Sequence, residues 1–177
     1  MTAKRVGREM IAAGVIGISG DMAMQVVENR RREENTNSSF LLDKPRSLRL
    51  CTFRVIQAPI ISTAWGVFDR IVPWKGPAGV VAKVALDQTL LMPPSMCTFF
   101  VSMGLMEGMS LEHSVARATA SFPATAMACV PYWSCVHSVT FGIVPARYRI
   151  VWVSCAAVGW NMFISQQNAD ARRRERV

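Results

Sequence analysis

Lys83 and Asp87 stand four residues apart in VVAKVALDQTLLMPP (residues 80–94), one of the most apolar stretches of the chain. On a helix that spacing places both on one face, close enough to pair. Gln88 follows about 100° further round, and Pro93 and Pro94 close the stretch. Asp21 and Gln25 repeat the four-residue spacing in an earlier apolar run, and Arg54 offers a positive charge from another. A charge inside an apolar helix is costly and faces a packed interior or a water-filled cavity. The set Asp21, Gln25, Arg54, Lys83, Asp87 and Gln88 therefore suits two kinds of chemistry. One is a polar-lined path for ions or small solutes, shaped by three helices. The other is an interhelical network of ion pairs and hydrogen bonds that specifies assembly.

Other chemistry finds little support. No GxSxG, HExxH or P-loop pattern occurs, so no enzyme activity and no cofactor is expected. The two histidines, His113 and His137, are too scattered for a metal site. The cysteines, Cys51, Cys97, Cys129, Cys135 and Cys155, are odd in number and form no CxxC. They read as small buried hydrophobes, not as a disulfide or metal framework. Tyr132, Trp133 and His137 read as packing residues whose polar tips each find one partner. Met103, Met106 and Met109 read as gap fillers. Gly14, Gly17 and Gly20 make GxxGxxG, which is not the phosphate-binding GxGxxG, and no strand precedes it. Small residues at that spacing let helices approach closely in a membrane.

The elements that must hold these residues are apolar runs. Hydrophobic residues make up 51% of the 177 and charged residues only 18%, against a usual charged share of about 25%. Residues 88–106, 118–146 and 150–169 contain no Asp, Glu, Lys or Arg. Each is about as long as the roughly 20 residues that cross a bilayer, and none offers the charged stripe of a soluble amphipathic helix. The runs extend over residues 10–27, 50–72, 78–106, 118–144 and 150–166. The prolines at 93–94 are expected to kink or break the third. A turn, VPWKGP (72–77), separates the second from the third, with Trp74 and Lys75 suited to the water–lipid boundary. Residues 107–117 are expected to form a short interfacial helix capped by Ser110.

The fold class that follows is all-α: a polytopic membrane helical bundle of four to five apolar helices plus a short interfacial helix. Residues 1–177 read as a single integral membrane domain, with a charged loop at about 28–49 and a charged tail at about 168–177. The basic, apolar start imitates a signal peptide, but Asp21 interrupts it, so it reads as a retained first span. The terminal RERV matches no organellar address. The net charge of +8 does not indicate nucleic acid, because the basic residues flank apolar runs without aromatic interleaving. Such flanks meet anionic lipid headgroups, here at the Arg-rich tail.

Several stretches resemble one known family in order along the chain. GDMAMQ (20–25) resembles its GDxxxQ, and DKPRSLR (43–49) its DxxRxxR entry into the second helix. APIISTAWGVFDRIVP (58–73) is similar to GP…WY…LDR…P, and KVALDQTLLMPP (83–94) to KxxxDQxxxxP. WSCVHSVTFGIVPARYR (133–149) resembles WPxxQxxNFxxVPxxxR, and WNMFIS (160–165) the closing WNxYLS. The family is that of the Mpv-seventeen protein and the 22-kDa peroxisomal membrane protein, and the likeness runs from about Gly14 to Ser165.

The resemblance implies a small integral membrane protein with about four transmembrane helices and no established catalysis. It implies residence in the mitochondrial inner membrane or, alternatively, the peroxisomal membrane. It links the chain to membrane permeability and channel-like behaviour, with the lipid bilayer as partner. It adds Gly20, Pro59, Asp69, Pro93, Trp133, Phe141, Pro145, Arg149 and Trp160 to the candidate positions. The chain departs from the pattern at Ala58 for Gly, Ala64–Trp65 for Trp-Tyr, Val130 for Trp, Ser134 for Pro, His137 for Gln and Thr140 for Asn. These departures keep open an alternative role, a non-catalytic accessory subunit of a larger inner-membrane complex.

Overall fold

The computed structural model describes residues 3–36 and 42–174, with side chains at 4, 6–30 and 42–162. The described residues are helical throughout, apart from short turns. The order is α1 (Ala3–Thr36), α2 (Lys44–Ile71), α3 (Pro77–Leu86), a π turn (Asp87–Leu91), α4 (Met92–Met106), α5 (Leu111–Gly142) and α6 (Arg149–Arg174). Of the charged loop expected at about 28–49, residues 28–36 belong to α1 and 44–49 to α2, while 37–41 and the side chains of the Arg-rich tail lie outside the described residues.

Local chemistry sets the helix ends. Asp43 caps α2 by accepting the amide N–H of Arg46 at 2.9 Å, and Pro45 occupies the first turn. Gly76, at φ 86°, turns the chain into α3, which begins at Pro77. Gly79 lies against the carbonyl oxygen of Trp74, so no Cβ fits there. Ser110 caps α5 as expected, accepting the N–H of His113 at 3.3 Å. The hydroxyl of Ser110 also lies 2.7 Å from Nδ1 of His113, an exposed capping contact.

One sequence expectation changes and another is narrowed. No separate interfacial helix forms over 107–117: residues 107–110 make the turn, and everything from Leu111 belongs to one long α5. Nothing between Arg117 and Ala118 stops a helix once Ser110 has started it. Pro93 and Pro94 do not break the third run either. Each lacks the N–H that an α-helix would use and crowds the carbonyl four residues back. The chain absorbs this in the π turn just before them, where the N–H of Met92 reaches the carbonyl of Asp87 five residues back. α3, the π turn and α4 thus form one continuous apolar segment.

α1 packs against α2 and α6, while α5 packs against α3 and α4. Ala13, Ala58, Trp65, Phe68, Phe141 and Ile150 form the central apolar cluster. Gly14 and Gly17 meet Cys51, Val55 and Arg54 of α2, whereas Gly20 meets Val158 of α6. Steps of three residues fall about 60° short of a full helical revolution. The glycine series therefore winds from one neighbour to the next, and the close helix contacts expected of it are present. Outward positions such as Ile11, Val15, Ile56, Ile60, Val81, Leu90 and Met127 are apolar and exposed. Among the described residues, Val6–Arg30 and Pro77–Met106 are long and apolar enough to cross a membrane.

Candidate functional site

Trp65 and Asp69 stand four apart on α2, and Lys83 and Asp87 four apart on the segment that runs back along it. The two pairs meet across the helices, not within them. Trp65 donates its indole N–H to Oδ1 of Asp87 at 2.6 Å. Lys83 donates to Oδ1 of Asp69 at 2.6 Å. The expected Lys83–Asp87 pair does not form, because each residue finds a partner on α2.

α5 and α6 complete both contacts. Nε2 of His137 lies 3.2 Å from Oδ2 of Asp87, and Gln88 donates to the same oxygen at 3.2 Å. Nη1 of Arg149 lies 2.6 Å from Oδ2 of Asp69. The result is a column of two polar levels. Trp65, Asp87, Gln88 and His137 make the inner level, and Asp69, Lys83 and Arg149 the outer one. Four residues along α2 separate them, about 6 Å at 1.5 Å per residue. Phe141 links the levels: its ring centroid is 5.7 Å from that of Trp65, and the guanidinium carbon of Arg149 sits 5.2 Å from it.

The inner level is nearly dry. Trp65 is 2% exposed, Asp87 4% and His137 6%. Asp69 opens the outer level to solvent, with 30% of its side chain exposed. A charge in such surroundings persists only when it is paired and hydrogen-bonded. Asp69 meets that condition with two cations. Asp87 has three donors, none of fixed charge. Nδ1 of His137 and Oε1 of Gln88 are buried with no hydrogen-bond partner among the described residues.

Asp21 and Gln25 belong to a different site. Gln25 donates to Oδ2 of Asp21 at 2.8 Å and to Ser47 at 3.0 Å, and it accepts the N–H of Asp43 at 2.6 Å. Ser47 donates to Asp21 at 2.6 Å, and Arg46 bridges Asp21 and Glu28. Burial works against the charge of Arg46, but Glu28, Asp21 and Asp43 outweigh it and hold its pKa above the ordinary value. This clasp fastens the latter half of α1 to the start of α2. Arg54 joins neither site directly: its stem crosses Gly17, and Asp21 attracts it only through space. The set read from the sequence as one cluster is thus divided, since α1 and α3 carry their charges to opposite ends of α2.

The remaining positions mostly hold helices together. Trp133 stacks on His137 with centroids 5.6 Å apart, and Tyr132 lies 5.2 Å from Trp160. The Tyr132 hydroxyl donates to the carbonyl of Ala156 at 2.6 Å, tying α5 to α6. The Pro145 carbonyl accepts the N–H of Tyr148 in the turn before Arg149. Pro59 sits inside α2 without ending it, and Gly20 and Pro93 act on the backbone as described above. Among the departures, Ala58 and Thr140 are buried and Val130 is exposed, while Trp65 and His137 both enter the column. Glu9 was not singled out from the sequence, yet it is buried and accepts a hydrogen bond from Ser62 at 3.0 Å. Its place beside the basic Arg8 hides it among the charges at the start of the chain.

Comparison with known proteins gives a consistent picture. A model of the Mpv17/PMP22 family matches residues 104–165. Protein sym1 of Aspergillus oryzae is 32% identical over 162 residues, covering 90% of this chain and 88% of that protein. The human mitochondrial inner membrane protein Mpv17 is 25% identical over 157 residues, covering 88% and 85%. Protein SYM1 of Mycosarcoma maydis is 27% identical over 172 residues, covering 96% and 83%. No solved structure matches the chain.

Proposed function

This chain belongs to the Mpv17/PMP22 family, and from that membership we propose that it influences the permeability of its membrane to ions or small solutes. It is a protein of the mitochondrial inner membrane. In this reading α1, α2, the α3–α4 segment, α5 and α6 supply four to five crossing helices, and the chain performs no catalysis of its own. The buried column carries the proposal. A bilayer interior penalises every unsatisfied polar group, yet this chain places two carboxylates, two fixed cations, a histidine and a glutamine at one helix junction. Intramembrane ionisable residues of this kind mark pathways.

Purified protein in planar bilayers provides the test. Asp87→Asn and Lys83→Met are each expected to change conductance while far-UV circular dichroism stays that of the folded protein. Unchanged conductance in both variants would refute the reading.

One observation favours a second reading, an accessory subunit of a larger inner-membrane complex. Asp69 joins α2, α3 and α6 through Lys83 and Arg149, which is what a packing lock requires. Native-gel migration of mitochondrial extracts distinguishes the two. Comigration with a large assembly supports the subunit, and a lone small species excludes it.

A further inference from the structure

We propose that Nδ1 of His137 is a proton-binding site whose occupancy sets the net charge of the buried column. The site stands on the geometry of Asp87, Gln88 and His137, while its consequence for ion flow rests on the permeability reading above.

A carboxylate only accepts hydrogen bonds. Both nitrogens that approach Oδ2 of Asp87, from His137 and from Gln88, must therefore donate. This orients the Gln88 amide and leaves its Oε1 without a donor. It also fixes the neutral imidazole as the Nε2–H tautomer, with a bare lone pair on Nδ1. Both of those atoms are buried and unpartnered among the described residues. The bare Nδ1, buried beside a carboxylate, is a site for a small hydrogen-bond donor. The smallest donor that fits the chemistry of an imidazole nitrogen is the proton itself.

Charge balance favours the neutral state as the resting one. In the outer level, Asp69 faces both Lys83 and Arg149, leaving one positive charge over. In the inner level, Asp87 is held by the neutral indole of Trp65 and amide of Gln88, leaving one negative charge. A neutral His137 balances the two levels, and a proton on Nδ1 makes the column positive. His137 contacts Asp87 of the π turn, Trp65 of α2, and Trp133 and Phe141 of α5 itself. Gln88 shares the Asp87 oxygen that His137 meets, and the remaining charges, Asp69 of α2, Lys83 of α3 and Arg149 of α6, belong to the outer level about one helical turn away. α4 carries no charged residue.

The chain has only two histidines, and His113 is exposed, so it serves as an internal reference. Protein labelled with ¹⁵N-histidine in lipid nanodiscs is expected to show His137 as the neutral Nε2–H tautomer at about pH 7.5. Acidification to about pH 5 removes the bare-nitrogen resonance as Nδ1 takes up a proton. The signal is assigned by its loss in His137→Gln, which keeps a donor for Asp87 but binds no proton. A charged His137 at the higher pH, the opposite tautomer, or no change down to the lower pH overturns the site. Where that variant fails to fold, His113→Gln, at the exposed second histidine, leaves the His137 resonance alone and makes the same assignment.

In planar bilayers under a salt gradient, acidification is expected to shift the reversal potential toward anion selectivity. The shift is expected in the unmodified protein and lost in His137→Gln. A resonance change without this shift overturns the role of column charge. Absence of conductance at every pH counts against the permeability reading, and the resonance data then judge the proton site alone.

Discussion

Replacing Asp69 by Asn removes the one carboxylate that Lys83 and Arg149 share, with little change of shape. Hydrogen bonds to charged groups contribute about 1.5–3 kcal/mol each, and stripping one partner from a buried ion pair costs about 3–5 kcal/mol. Asp69 keeps nearly a third of its side chain exposed, so solvent screens the interaction. The low end of the range applies, giving an expected loss of about 2–3 kcal/mol, or roughly 30- to 150-fold in the folding equilibrium. Most of that loss arises because Lys83 and Arg149, 12% and 10% exposed, are left facing each other. Lys83→Met in the same chain removes one of the stranded cations. The double variant should therefore lose less than the sum of the single losses, by about 1.5–2 kcal/mol. Unfolding in a mild detergent titrated with dodecyl sulfate, followed by far-UV circular dichroism, measures all four proteins of the cycle. Additive single losses, or Asp69→Asn within about 0.5 kcal/mol of the parent, would show that these contacts are not coupled.

Gly20→Ala should destabilise the protein by about 1–3 kcal/mol, because its new methyl meets Val158 of α6. Gly66→Ala, with nothing within 4 Å of its added Cβ, should instead stabilise α2 by about 0.5–1 kcal/mol; equal effects in the same unfolding assay would contradict the packing described. Gln25→Leu should open the clasp on the start of α2, since it removes the acceptor for the Asp43 N–H and the donors to Asp21 and Ser47. Hydrogen exchange read by mass spectrometry should then rise about ten-fold or more across residues 43–47, the equivalent of about 1.4 kcal/mol, and unchanged protection would rule the clasp out.

Much of the secondary structure was legible in the sequence, because apolar runs and helix caps act over a few residues. Ser110 marked a helix start, though of a short interfacial helix and not of the long α5 it begins, and VPWKGP marked the turn between α2 and α3. The fate of Pro93 and Pro94 was not legible. A proline pair forbids the regular hydrogen bonds but does not say whether the chain stops or widens. The answer was a π turn at Asp87–Leu91, whose first residue is pinned by Trp65 and His137 from other helices. His137 was read as a packing residue with one polar contact. It has that contact, but its partner is a buried carboxylate 50 residues earlier, which no local pattern reveals.

By itself the sequence determined that the chain is helical and apolar, and that Lys83 and Asp87 share a helix face. Those are properties of composition and of a 3.6-residue period, and they need no knowledge of neighbours. Only the tertiary structure decided which charges meet. α2 runs antiparallel to α3 and carries its own four-residue pair, so Lys83 reaches Asp69 and Asp87 reaches Trp65. An i,i+4 spacing permits a contact within one helix, but a neighbouring helix can offer shorter and better-aligned partners. Which of the two prevails depends on how the helices dock, and docking is set by contacts far apart in the chain, such as Arg149 on Asp69.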